Sequence, residues 1–341
     1  MKTIARGILL GAMLFGLAQA QQSNKAGTTG AQFLKLGVGA RGVAMAGATA
    51  GLADDASALY WNPSGIVHVR SLTFFAAHTE WFAGIGHQFF GLVLPVGEDH
   101  RIGVSATVLN MGKMEITTET SPQGTGDFFE ANDVAVGLSY ATRLVDFFDF
   151  GASVKYISQT IYNESGSSFA LDLGTTLRTG YEGIKIGMAF TNFGTTIQLE
   201  GRDLRRTYDP NPNNATNVGV SSYLATESWE LPINFRVGIG WDLLGVTDAM
   251  VVDETNSLRV GIDANHPNDG PENAALGLEY SWSRIVSLRG GYRFNDDTQT
   301  WTFGGGLHWN QDASPSFGVD YAYMNLKKLG GVHIFSLGVG L

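Results

Sequence analysis

Gly37, Gly39 and Gly42 fall at the spacing GxGxxG, the pattern whose glycines bring a backbone close to a pyrophosphate at the start of a helix. A dinucleotide fold also needs an acidic residue about 20 positions on, for the ribose, and a βαβ pattern around the motif. Neither is present. The three glycines read instead as places where small size permits close packing. Asp54 and Asp55 form an acidic pair suited to a cation or to a helix start, and their place just before Ala56 favours the cap. The run from Asp209 to Asn214 is rich in oxygen ligands, but it lacks the glycine and closing glutamate of a calcium loop and reads as a turn. The seven histidines show no HxxxH or HExxH spacing. Ser281, His308 and Asp320 are the residue types of a hydrolytic triad, with no spacing that supports one. These patterns predict no enzyme, no metal and no cofactor.

Other function classes fall to composition. The chain has no cysteine, so disulfides, thiolate metal sites and cysteine nucleophiles are excluded. A net charge of −10 argues against nucleic acid, which needs a basic face. Among 341 residues there are 45 glycines, and only 16% are charged where roughly 25% is usual.

Residues 1–20 have the plan of a secretory signal: Lys2 and Arg6, an apolar Ile8–Leu17, then Ala18-Gln19-Ala20 as a small-x-small cleavage site. Export with cleavage before Gln21 is the expectation, and with no cysteine there, no lipid anchor. Residues 21–70 follow as an N-terminal segment, and residues 71–341 as one barrel.

From Leu36 to Ile66 the chain is rich in Gly and Ala and lacks the polar face of a free-standing helix. One helix is predicted over Ala40–Gly51 and a second over Ala56–Trp61, begun by Asp54 or Asp55 and stopped by Pro63 and Gly65. Small residues on every side suit a plug inside a surrounding wall. Gly37, Gly39, Arg41, Asp54, Asp55, Trp61, Asn62 and Pro63 are its distinctive positions.

After Ile66 the pattern has period two, which places alternate side chains on opposite faces of a strand. Val134, Val136, Leu138 and Tyr140 share one face; Asp133, Ala135, Gly137 and Ser139 share the other. Fourteen such segments run from Leu72 to Leu341. The second face is Gly and Ser with scattered charge, too sparse for a water-exposed exterior. Turned inside out it fits: an apolar band meets lipid, and small residues with paired charges line the lumen. Lys155, Asp172, Lys185, Arg236, Asp242, Arg259, Asp263, Glu279, Arg289 and Asp320 all fall on that inner face, where burial requires pairing. The fold class is therefore all-β: a 14-stranded antiparallel transmembrane barrel with an N-terminal helical plug in its lumen.

Loop lengths give an orientation. With both termini periplasmic, the short gaps become periplasmic turns and the two longest, Lys113–Asn132 and Gly194–Pro232, face outward. Binding residues concentrate on such loops. Met111, Met114, Phe128, Phe129, Tyr208, Tyr223, Trp229 and Leu231 are apolar groups there, suited to a partner, to the barrel mouth or to lipid headgroups. Arg205, with Arg202 and Arg206, suits an acidic partner or the phosphates of outer-leaflet lipid or lipopolysaccharide.

The stretches FLKLGVGARGVAMAGA, ADDASALYWNPSGI, HTEWF, GTGDFF, ALDLG, TNFGT and GRDLR occur in this order from Phe33 onward. Together they resemble the PorV/PorQ family of bacterial outer-membrane barrels, related to the FadL-type fatty-acid transporters; Asn62-Pro63 is also FadL-like. The resemblance implies a fourteen-stranded barrel, matching the count from alternation. It also implies an accessory role in type IX secretion, binding the C-terminal β-sandwich signal domains of secreted cargo and carrying them to attachment machinery at the cell surface. The alternative is a FadL-like channel for hydrophobic small molecules. A channel needs an apolar pocket between plug and wall and a kink in one strand. Docking needs a sealed lumen and an apolar patch on ordered loops.

Overall fold

The computed structural model describes residues 25–210, 219–309 and 314–341. The signal-like residues 1–20 and most of the oxygen-rich run, Asn211 to Asn214, lie outside them.

The barrel strands are β1 (Thr73–Glu80), β2 (Gly86–Val96), β3 (His100–Glu115), β4 (Phe128–Val145) and β5 (Phe148–Ile161). Next come β6 (Glu164–Arg178), β7 (Ile184–Gly194), β8 (Asn234–Gly245), β9 (Asn256–Pro267) and β10 (Asn273–Trp282). The set ends with β11 (Val286–Phe294), β12 (Trp301–Trp309), β13 (Ser316–Asn325) and β14 (Gly331–Gly340). Each pairs antiparallel with its neighbour in sequence, and β1 pairs β14 from Thr73↔Gly340 to Glu80↔His333. The result is a closed 14-stranded barrel with no edge. Alternation is what makes closure work. Phe90, Val104, Leu138, Val154, Ile262, Leu288, Leu307 and Phe335 are exposed on the outer face, as a lipid-facing band requires.

Inside lies the chain from Ala31 to Val69, mostly buried. It contains two short helices, α1 (Ala40–Ala44) and α2 (Ala58–Trp61), and a 3₁₀ turn over Pro63–His68. Helix α1 touches β11 to β14, while the 3₁₀ turn touches β3 to β6 on the other side of the lumen. Wall glycines make room. A Cβ on Gly151 would overlap the Pro63 backbone, one on Gly174 would overlap Asn62, and one on Gly261 would overlap the Ala48 carbonyl.

The inner segment departs from its sequence reading. The first helix ends at Ala44 rather than Gly51, because the wall takes its backbone donors. Asp263 Oδ2 accepts from the amides of Thr49 (2.9 Å) and Ala50 (2.8 Å), and Thr302 Oγ1 accepts from Ala46. Ala46 and Gly47 then turn the chain with φ of 55° and 82°. Neither aspartate caps α2, whose N-cap is Ser57 without a side-chain bond. Asp55 instead accepts from the Ser57 amide (2.7 Å), and Asp54 pairs with arginines. Helix α2 does end at Trp61, just before Pro63, which then starts the 3₁₀ turn with Asn62 as its N-cap.

Two loop expectations also change. The Lys113–Asn132 gap shortens to residues 116–127, because β3 and β4 stay paired beyond a bulge between Asn110 and Lys113. Met111, Met114, Phe128 and Phe129 are thus strand residues of a projecting hairpin. The Gly194–Pro232 gap is ordered where described. Ile197 bridges Trp229, and Arg205–Tyr208 pairs with Val220–Tyr223.

The two described ends of the chain do not share one end of the barrel, as the reading with both termini periplasmic required. Gly30 N–H donates to Glu230 O (2.9 Å) among the long loops, whereas Leu341 N–H donates to Leu72 O (2.8 Å) beside the short turns. The inner segment therefore runs the full height of the lumen.

Candidate functional site

Three regions of the lumen differ in chemistry. The first is an apolar chamber beneath the long loops. Leu109, Ala135, Ile157 and Ala170 of the wall and Ile197 and Leu231 of the long loop form one buried cluster. Its centre is filled from within by Ala31, Phe33 and Leu34. Leu231, expected on an exposed loop, is buried because that filling gives it an apolar neighbour. Asp269, in the β9–β10 loop, anchors the segment. It accepts from Thr29 Oγ1 (2.7 Å) and Gln32 Nε2 (2.8 Å) and pairs with Lys35 Nζ (2.8 Å). Burial pushes the Asp269 carboxyl upward; the bonds from Gln32, Lys35 and Thr29, together with the Lys35 charge, outweigh it and hold the group below its ordinary value.

Beside the chamber the wall is irregular. Leu171 pairs with Phe193 and Leu173 with Phe190, so β7 carries extra residues opposite Asp172. Asn192 takes φ of 63°, its amide donates to Asp172 (2.7 Å), and its side chain donates to Pro232 O (3.0 Å). Lys155 pairs with Asp172 at 2.8 Å and also donates to Asn192. Asp172 and Lys155 lie two residues from Ala170 and Ile157, so the bulge and the chamber are contiguous.

The second region is a charge network between inner segment and wall. Arg41 forks onto Glu279, with Nε to Oε2 at 2.8 Å and Nη2 to Oε1 at 3.1 Å, and reaches Asp55 at 2.8 Å and Asp54. Arg259 binds Asp54 at 2.8 Å, Lys185 binds Asp242 at 2.7 Å, and Arg289 joins Glu279 to Asp320 at 2.6 Å each. Ten inner-face charges were anticipated from alternation, and this network accounts for six of the ten; Lys155 and Asp172 pair at the bulge. Arg236 instead lies 4.9 Å over the Trp61 ring and donates to Trp61 O (3.1 Å). Asp263 serves the backbone amides described above. Trp61 is held further by its Nε1 bond to Val38 O (2.8 Å), and Asn62 donates to Ala50 O (2.8 Å) and Thr175 O (3.1 Å). Gly42 packs on Trp61, where a Cβ would meet Nε1 at 2.5 Å. Gly37 lies against the same ring, and Gly39, with φ of 77°, packs on Phe75. That close packing is what the GxGxxG spacing provides.

The third region is a cavity of about 940 Å³ at the short-turn end, lined by groups including Arg101, Arg143, Arg178, Asp242, Arg259 and Glu279. Its lining is polar and apolar in near-equal measure, and the charge network borders it.

The sequence-selected loop residues do not converge on one site. Arg205 Nη2 donates to Tyr223 OH (2.9 Å) and its guanidinium lies 5.5 Å from that ring, so these two satisfy each other. Phe129 packs edge-on against Tyr162. Phe128, Tyr208 and Trp229 are exposed. Of the imagined triad, His308 Nε2 meets Asp320 at 3.3 Å, but Ser281 shares its hydroxyl bond with Ser287. Sequence reasoning passed over the chamber, because its lining residues come from four strands and a loop; the alternation of Leu109, Ala135 and Ile157 on inner positions was the available signal.

This architecture defines a transmembrane barrel whose lumen is occupied by its own N-terminal segment. Solved structures share the barrel fold. One is the CymD monoaromatic hydrocarbon channel, at a TM-score of 0.56 and 13% identity, covering 89% of this chain and 96% of that one. Another is the Ralstonia pickettii toluene transporter TbuX, at 0.54 and 12%, covering 89% and 97%. A Pseudomonas aeruginosa FadL homologue matches at 0.50 and 13%, covering 87% and 96%. No protein-family model and no curated protein sequence matches the chain. At such identities the likeness is one of fold alone, that of a FadL-like barrel.

Proposed function

We propose that this barrel sits in a bacterial outer membrane with its long loops outward and passes a small hydrophobic molecule through the chamber beneath them. The contiguity of an apolar chamber with a bulged wall supports this reading most. Leu231, Ile157 and Ala170 line the chamber, and two residues along β6 the β6–β7 pairing breaks at Asp172. A molecule replacing Phe33 and Leu34 would find apolar walls and, beside them, a bulge where the β6–β7 register shifts, the weakest point of the nearby wall. Similarity to a monoaromatic hydrocarbon channel and a toluene transporter points the same way. The test is uptake of a radiolabelled monoaromatic hydrocarbon by cells carrying the barrel. Wild type should exceed an Ile157→Trp variant that folds and inserts normally. Equal uptake by both, or by cells lacking the barrel, would sink the reading.

A second reading is cargo docking of the PorV kind, with secreted proteins bearing a C-terminal β-sandwich domain, and attachment machinery, as partners. Two observations favour it: Phe33 and Leu34 pack the chamber, and Phe128, Tyr208, Val220, Tyr223 and Leu224 are exposed on ordered parts of the long loops. Crosslinking from intact outer membranes separates the two readings. Docking requires capture of secreted proteins by wild type and its loss in Phe128→Asp/Tyr208→Asp.

A further inference from the structure

Pairing registers place Thr79, His87, Leu109, Asp133 and Gln159 at one level on successive strands: Thr79↔His87, His87↔Leu109, Leu109↔Asp133 and Asp133↔Gln159. All five take inner positions in the alternation, and Leu109 belongs to the apolar chamber. Asp133 is flanked by Leu109 across the strand and by Ala135 two residues on, both chamber residues. His87 stands beside the same Leu109.

Two groups in this row lack partners of the kind found elsewhere in the lumen. Each other buried strand carboxylate among the described residues has a cation or backbone amides: Asp149 has Arg178, Asp172 has Lys155, Asp242 has Lys185, Glu279 has Arg41, Asp320 has Arg289, and Asp263 has the Thr49 and Ala50 amides. Asp133, 8% exposed, faces only the Gln159 amide. His87 is 1% exposed, and its Nε2 has no hydrogen-bond partner among the described residues. Buried polar groups are normally satisfied and buried carboxylates paired with a cation, so an orphaned His87 Nε2 and a carboxylate with only one neutral amide beside it call for a partner.

We infer that the chamber selects an apolar molecule carrying a hydrogen-bond-donating end, a hydroxyl or an amine, which Asp133 accepts and His87 can reach. This rests on the channel reading. His87 and Asp133 are separated by one strand, about 10 Å between backbones, so the two address different points of one ligand or one group in two poses. A carboxylate is disfavoured, because it would meet Asp133 as a like charge with no cation in the row. A plain hydrocarbon gains nothing from this row, since it can bond to neither group.

The test measures binding of decylamine, 1-decanol, decanoate and decane to the full barrel in lipid nanodiscs by native mass spectrometry. Decylamine and decanol should bind at least tenfold more tightly than decanoate and decane. Asp133→Asn should remove the advantage of the amine, and His87→Phe should weaken decanol while the barrel keeps its heat-modifiable mobility. Decanoate or decane binding as tightly as decanol would overturn the inference while leaving the channel reading intact. So would an unchanged order in Asp133→Asn. Failure of all four to bind a folded wild-type barrel would overturn the channel reading, and this inference with it.

Discussion

Arg41 and Glu279 meet as a two-pronged fork across the boundary between inner segment and barrel wall, at 2.8 and 3.1 Å. Both are largely shielded from water, and Glu279 is shared with Arg289. Removing Arg41 leaves Glu279 with Arg289 and Arg259, but it breaks the fork and takes from Asp55 its cation. Arg41→Ala should therefore destabilise the seated segment by about 1.5–3 kcal/mol, the usual cost of losing charged hydrogen bonds whose partners keep other cations. Planar-bilayer recordings should show higher or noisier conductance than wild type. A quiet trace with unchanged protease resistance of residues 36–70 would contradict the assignment.

Trp61 is buried at 2% exposure, bonded to Val38 O and covered by Arg236. Trp61→Ala removes that packing and should cost about 3–5 kcal/mol. Trp61→Phe keeps most of the volume and should cost less. Thermal unfolding followed by the loss of heat-modifiable mobility ranks the two variants, and equal midpoints would show that Trp61 is not a packing centre.

The wall glycines give a steric test. Gly151 faces the Pro63 backbone with no room for a side chain. Gly151→Leu should leave strand pairing intact but unseat the 3₁₀ turn, so cells carrying it should become sensitive to large antibiotics that the outer membrane normally excludes. Gly338→Leu, at a wall glycine whose added Cβ meets nothing within 4 Å, should not.

Asp269 sets a pH dependence. Its carboxyl is held below the ordinary value in the folded protein, so it stabilises the attachment of residues 29–35 above the unfolded carboxylate pKa of about 3.9. That contribution is lost as pH falls through the lower, folded pKa. Hydrogen exchange at Gln32–Lys35 should be slow and flat from neutral pH down to about 5, after allowing for intrinsic exchange, and protection should fall once pH drops below about 4. Asp269→Asn should show weaker protection throughout and no such step.

The strands were legible because lipid outside and small residues inside impose a two-residue period on every one of them. Val286–Phe294 and Trp301–Trp309 have the bounds read from sequence. The inner segment was legible in composition but not in conformation. Whether Thr49 and Ala50 continue a helix depends on Asp263, more than 200 residues away, and no local pattern carries that. Leu231 was misplaced for the same reason: its burial depends on Phe33 and Leu34. The Asp133 row needed registers across five strands, although Asp133 among apolar inner neighbours with no nearby basic residue was already visible.

Because the inner segment precedes β1 in the chain, and β1 pairs with β14, the barrel's final seam joins Thr73 to Gly340 with residues 31–69 already enclosed. At Gly151, Gly174 and Gly261 the seated segment lies against the wall with no room for a Cβ between them. This packing predicts an order of assembly, in which the segment is present as a core before the last seam zips and the strands wrap around it. Deleting residues 36–70 would then impair biogenesis itself, producing fewer closed barrels in the membrane rather than the same number with an open bore.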